Sequence, residues 1–218
     1  VENHFLKIIN ACGSPAWVAW NLMLAAIPVL LAYLLVSIAR LRRHRHLRKI
    51  LLTVVGAAWL VFLPNTCYLL TEWRHFLYNL DASNLFLRSR AEPDLKPALM
   101  IYTAAYTLYS ASGMLAFTLA IRPVAKMMKR SGRILWIYGL PLFLLMSIGV
   151  YLGLVLRFNS WDVLKRPNDI WQSVSMLISR PKLALLIVGF GGFLWLAYFL
   201  IDTLIDSVRA KLHLNHRR

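Results

Sequence analysis

The chain has 218 residues, of which 59% are hydrophobic, with a mean hydropathy of +0.59 and a formal charge of +16. An ordinary soluble domain is excluded, because its charged share is higher and its apolar runs stop well short of twenty residues. The runs lack the alternating repeat of a membrane barrel, so the spans they predict are helices, which satisfy their own backbone in hydrocarbon.

Five runs stand out, at 16–39, 50–70, 98–121, 134–156 and 183–205. Each exceeds the roughly 20 residues that cross a bilayer core of about 30 Å. They predict an all-α, polytopic membrane bundle of about five transmembrane helices, forming a single integral membrane domain over 1–218. The leading segment "VENHFLKIIN" has no basic cluster and the run after it is long, so the first run is read as a true span and not a cleavable signal. Val1 in place of Met points to an alternative start codon or a trimmed end.

The connection after the first span, "RLRRHRHLRK", carries six Lys/Arg; "RPVAKMMKRSGR" after the third carries five, and the tail "RAKLHLNHRR" four. If the helices alternate in direction, all three lie on one side. The positive-inside rule then predicts a multi-pass protein of the cytoplasmic (inner) membrane, with its N-terminus outside and its C-terminus cytoplasmic. Juxtamembrane Lys/Arg of this kind contacts membrane lipids, and no nucleic-acid partner is expected. Asn21 lies near the outer end of the first span.

The second span ends in "FLPNTCYLLTEWRHF", 62–76. Pro64 has no N–H and frees the Leu60 carbonyl, which predicts a kink that Asn65 would repair. Asn65, Tyr68, Glu72, His75 and Asn79 share one helical stripe, and Glu72 and His75 are neighbours at i, i+3. They read as a solvated ion pair, as two ligands of a divalent metal such as zinc, or as a proton-handling pair. Two ligands do not make a zinc site, so Asp162 or His4 would have to supply a third.

In the third span Tyr102, Tyr106, Tyr109 and Gly113 line one side, and their hydroxyls are expected to hydrogen-bond between helices. The connection "DASNLFLRSRAEPDLKP" reads as a mostly irregular loop. The fourth span carries Gly149 and Gly153, a small-residue pair for close helix packing, with Arg157 continuing the stripe. It ends in "YLGLVLRFNSWD", so Arg157, Asn159, Trp161 and Asp162 emerge on the same side as Glu72 and His75. Arg157 would pair with Glu72 or Asp162, or hold a phosphate.

Between the last two spans, 169–178 is predicted to be an amphipathic helix on the outer surface, capped by Asn168 or Asp169 and able to roof the two clusters. In the fifth span "GFGGF" (189–193) suggests close packing, and Asp202 and Asp206 are placed where the basic loops balance them. Cys12 and Cys67 are both near the external side, where a disulfide is chemically allowed. No Cys/His metal spacing, Gly-rich phosphate loop or GxSxG occurs.

Three blocks, "WNLMLAAIPVLLA" (20–32), "WLVFLPNTCYLLTEWRH" (59–75) and "GVYLGLVLRFNSWD" (149–162), resemble in order a bacterial family, domain of unknown function 1361. The likeness runs from about residue 17 to 200. It implies a small integral protein of the bacterial envelope with no established activity. It also implies an acid at Glu72, a His at His75 and polar positions at Arg157, Asn159, Trp161 and Asp162. The family follows Pro64–Asn65 with a small residue and Pro, where this chain has Thr66–Cys67.

Two functions compete. One is non-catalytic binding: Asn65, Arg157, Asn159 and Trp161 would hold a lipid head group or stabilise a complex with other membrane protein subunits. The other is a metal-assisted or acid–base hydrolase or transferase acting on a lipid-linked substrate at the outer leaflet. Glu72, His75 and Asp162 would be its catalytic or metal residues, with Arg157 holding an anionic group. Transport lacks the repeat and the matched broken helices it would need.

Overall fold

A computed structural model describes residues 15–41, 45–130 and 135–215, and every regular element within them is a helix. Helix α1 is Pro15–Arg40, α2 Arg45–Phe62, α3 Asn65–Thr71, α4 Trp73–Ala82 and α5 Leu85–Ala91. A 3-10 turn at Pro93–Leu95 leads into α6, Lys96–Arg130. Then come α7 (Leu135–Leu154), α8 (Asp162–Lys165), α9 (Pro167–Ile178) and α10 (Pro181–Asn215). The all-α bundle expected from the sequence is present.

Four stretches are long and apolar enough to cross a membrane: Val18–Arg40, Arg45–Ala82, Pro93–Lys129 and Pro181–Leu212. The fourth expected span differs. Its apolar part among the described residues is the shorter Gly139–Leu154. The helix closes at Leu154, before the expected boundary at 156, because the chain turns there: the Phe158 amide reaches back to the Leu152 carbonyl (3.0 Å) and Arg157 is left-handed (φ 59°). The 20 residues of α7 still rise about 30 Å, the thickness of a bilayer core.

Side-chain pairings fix the direction of each rod. Against α6, the second rod (α2–α4) runs antiparallel: the Trp59 indole donates to the Ala120 carbonyl (3.0 Å), Leu69 meets Gly113, and Phe76 stacks on Tyr102. Against α7 that rod is parallel, with Pro64 on Gly149 and Tyr68 on Gly153. Helix α10 is antiparallel to α7, since the Ser147 hydroxyl donates to the Ile187 carbonyl (2.7 Å) and Gly191 lies on Phe143 and Leu144. From the second rod on, rods consecutive in the chain therefore alternate, and α4 and α7 finish at the same end of the bundle, called here the cluster end.

The core lies where these rods meet. Phe117, Phe143 and Tyr198 form a ring triad with centroids 5.8 to 6.3 Å apart, and Leu63, Cys67 and Leu194 are fully buried beside it. Leucines such as Leu108 and Leu185 point outward, fully apolar on their free side, as a lipid solvent requires.

Several local expectations need correction. Residues 81–97 are not an irregular loop: α5 and the 3-10 turn fill most of them, with left-handed Asn84 (φ 49°) leading into α5. Arg157 does not continue the Gly149/Gly153 stripe, because the helix has already ended. Helix α9 begins at Pro167, whose fixed φ and missing N–H suit a first helical position, and neither Asn168 nor Asp169 caps it. In "GFGGF" only Gly191 is packed; a methyl group on Gly189 or Gly192 would meet open space.

Candidate functional site

The rod carrying Asn65, Glu72 and His75 is broken twice. At Pro64 the backbone tightens into i, i+3 bonds, Thr66 N–H to the Leu63 carbonyl (3.2 Å) and Cys67 N–H to that of Pro64 (3.0 Å). Asn65 does not make the expected local repair; at the kink it is the Thr66 hydroxyl that bonds the backbone, donating to the Leu63 carbonyl (2.8 Å). Asn65 makes a longer contact instead: its Nδ2 donates to the Ser160 hydroxyl (3.0 Å). That bond, 95 residues apart in sequence, ties the kink to the loop after α7.

The loop folds back toward Asn65 because it is locally self-capped. The Asp162 carboxylate accepts from the Asn159 amide (2.7 Å), and the Asp162 amide donates to the Asn159 carbonyl (2.9 Å). The Asp162 side chain thus reaches back to the Asn159 backbone N–H as the acid of a capping box does, while the return bond is a backbone turn. Arg166 Nη2 closes on the same carboxylate at 3.1 Å, its guanidinium lying 5.1 Å from the centre of the Phe158 ring. Hydrogen bonding from the Asn159 amide, against the opposing effect of burial and with help from Arg166, holds the Asp162 carboxyl below its ordinary range. The expected pairing of Asp162 with Arg157 is replaced by Arg166, and Arg157 is exposed. Asn159 and Trp161 are exposed beside it.

A second polar group sits further along the rod. Glu72 is 6% exposed at the break between α3 and α4, and its carbonyl accepts the His75 and Phe76 amides. It lies near Tyr109 on α6, which is also beside Asn21 of α1. His75 is exposed. Above them Phe76, Tyr102 and Tyr106 pack with centroids 5.0 to 5.3 Å apart. Tyr102 thus serves mainly as a packed ring, and its hydroxyl has no hydrogen-bond partner among the described residues.

The structure therefore brings Asn65 to the 158–166 loop, and Glu72 to Tyr109 and Asn21. Among the described residues no three or more His, Cys, Asp or Glu side chains gather as metal ligands. His4 and Cys12 lie outside the described residues; Cys67 is a buried free thiol. Helix α9 packs on α10, α8 and the end of α7, and the crevice beneath it, about 170 Å³, is lined by Tyr151, Leu156 and Arg180, not by the predicted site residues. Ser160 and Arg166 were not anticipated. The Asn159–Asp162 spacing was the available signal for the bond from the Asn159 amide to the Asp162 carboxylate, while Ser160 carried none.

No curated protein and no solved structure matches the chain. Residues 20–197 match the family described as Protein of unknown function (DUF1361), and the match takes in every site residue above. The blocks around Pro64 and Gly149, which meet in space, and the block around Trp20 on α1, which packs on α3, are thus the framework of a helical membrane protein that belongs to the DUF1361 family.

Proposed function

We propose that the cluster end faces outward from a bacterial cytoplasmic membrane and serves as a non-catalytic clasp for a lipid head group or a partner membrane protein. The observation that carries this reading is the engagement of Asp162 within its own loop. A carboxylate bonded to the Asn159 amide and to Arg166 stiffens a surface; it is not poised as a nucleophile or base. The loop and helices that follow present Trp161 (41% exposed), Leu164 (87%) and Trp171 (74%), the aromatic and apolar character of a head-group layer. The excess of basic residues at the opposite end supports the orientation.

Purification in mild detergent, followed by native mass spectrometry, tests the clasp. The wild-type chain is expected to retain lipid or a second protein, and a Trp161→Ala/Asn159→Ala variant to release it while still folding. A chain that runs alone and lipid-free, or a variant that holds its ligand unchanged, contradicts the proposal.

One observation favours the hydrolase or transferase reading: a buried carboxylate, Glu72, at a helix break with His75 one turn on and Tyr109 close by. In that reading Glu72 is base or ligand and His75 acid or ligand, with a divalent metal such as zinc between them and a substrate. Stoichiometric metal in the purified protein, lost in both Glu72→Gln and His75→Ala, would replace the clasp with the enzyme.

A further inference from the structure

At the opposite end of the bundle a cavity of about 500 Å³ opens between α1, α6 and α10. Its lining combines four cations, Arg40, Arg122, Lys126 and Arg209, with apolar groups that include Tyr33 and Leu119. Arg122 is only 4% exposed, an unusual position for a guanidinium in an apolar bundle. Its Nε lies 3.0 Å from Asp202 and its Nη2 pairs with Asp206, which Lys126 also approaches at 3.6 Å. Its Nη1 is buried and has no hydrogen-bond acceptor among the described residues.

The charge does not balance. Two carboxylates serve the four cations, and Arg40 and Arg209 are exposed at the rim with no carboxylate partner among the described residues. A guanidinium fork with a spare donor, flanked by further cations, matches a phosphate ester in charge and geometry. The position indicates the source. Tyr33 is 52% exposed and lies about 10 Å along α1 from Arg40, so the cavity joins a basic rim to an apolar wall that an acyl chain could follow. Basic pockets between transmembrane helices near the cytoplasmic surface are suited to phospholipid head groups.

We propose that this cavity is a binding site for an anionic phospholipid of the leaflet at the basic end, its phosphate held by Arg40, Arg122 and Arg209 and its chain laid against Tyr33 and Leu119. The site is independent of the clasp at the cluster end.

The test uses the full chain in nanodiscs of phosphatidylcholine, with and without phosphatidylglycerol, read by thermal unfolding and by native mass spectrometry of retained lipid. Wild type is expected to retain phosphatidylglycerol selectively and to melt higher in its presence. Arg122→Gln risks the fold, so the decisive variant is Arg40→Gln/Arg209→Gln, which alters only rim side chains. It is expected to lose roughly 30-fold in phosphatidylglycerol affinity, at about 1 kcal/mol for each cation. Its melting in phosphatidylcholine alone should be unchanged. Undiminished phosphatidylglycerol binding by this variant overturns the site. Equal stabilisation of wild type by inorganic phosphate overturns the lipid as source. Loss of phosphatidylglycerol in Arg157→Gln instead would move the anion to the cluster end and overturn the proposal, leaving the clasp standing.

Discussion

The two ends of the bundle use charge in opposite ways. At the cluster end the acid Asp162 is bonded within four residues of itself, to the Asn159 amide and to Arg166, and uncharged bonds, Asn65 to Ser160 and Tyr68 to the Gly149 carbonyl, link the second rod to α7 and its loop. At the basic end the charges pair between rods, Arg122 of α6 with Asp202 and Asp206 of α10, and a surplus of cations is left facing a cavity. Local bonding shapes a surface; long-range pairing in an apolar interior joins helices and leaves an electrostatic demand. The polar residues crowded in "RFNSWD" are of the first kind, and the ion cluster around buried Arg122 is of the second.

That contrast is sharpest in the stability of variants. Arg122→Gln removes the cation shared by Asp202 and Asp206, and because those side chains are 25% and 56% exposed the loss falls short of a fully buried pair's, at roughly 2 kcal/mol. Unfolding of this variant in micelles should show that loss, and Arg122→Gln/Asp202→Asn should recover part of it. A cost below that of a surface substitution would mean that Arg122 does not join the helices.

The close contact of the parallel rods comes next. A methyl group at Gly153 would overlap the Tyr68 hydroxyl, whereas one at Gly192 meets open space. Gly153→Ala should therefore cost about 2 kcal/mol by overpacking, relieved in a Tyr68→Ala background, while Gly192→Ala should be near neutral. Equal effects at the two glycines would remove the distinction between packed and lipid-facing positions.

The smallest effect concerns the loop and depends on pH. The Asp162 carboxyl titrates lower in the folded protein than its unfolded value of about 3.9, so its contribution is complete above that value. It is lost as pH falls through the lower, folded value. Asp162→Asn should flatten this acid limb of the stability profile and lower the neutral limb. An acid limb identical in wild type and variant would show that Asp162 is not held by Asn159 and Arg166.

Much of the architecture was legible because the bilayer imposes it: a run of twenty apolar residues has one solution, and alternation of the rods follows from the loops. The Gly149/Gly153 contact was legible for the same reason, since small residues at four-residue spacing have few other uses in a membrane helix. The destinations of side chains were not. Asn65 was matched to the nearest backbone need, but in the folded chain Thr66 makes the local side-chain bond at the kink and Asn65 reaches Ser160, 95 residues away. Arg157 was placed on a helical stripe that a left-handed turn had already ended, and Arg166, one turn beyond Asp162 on its own short helix, takes the pairing. Arg122 was counted with the basic loop because it sits beside Pro123, yet α6 runs through both to Arg130 and buries it.

The central claim is that the second rod and α7 run side by side in one direction, so that the kink at Pro64 meets the loop after Leu154. Disulfide cross-linking of Asn65→Cys with Ser160→Cys, in a background of Cys12→Ser and Cys67→Ala, tests it in intact membranes. The account predicts rapid, near-complete cross-linking of that pair and none between Asn65→Cys and a cysteine at Arg130 or Arg209. Cross-linking to either of those positions, with none to residue 160, would place the two polar segments at opposite ends and dissolve the site.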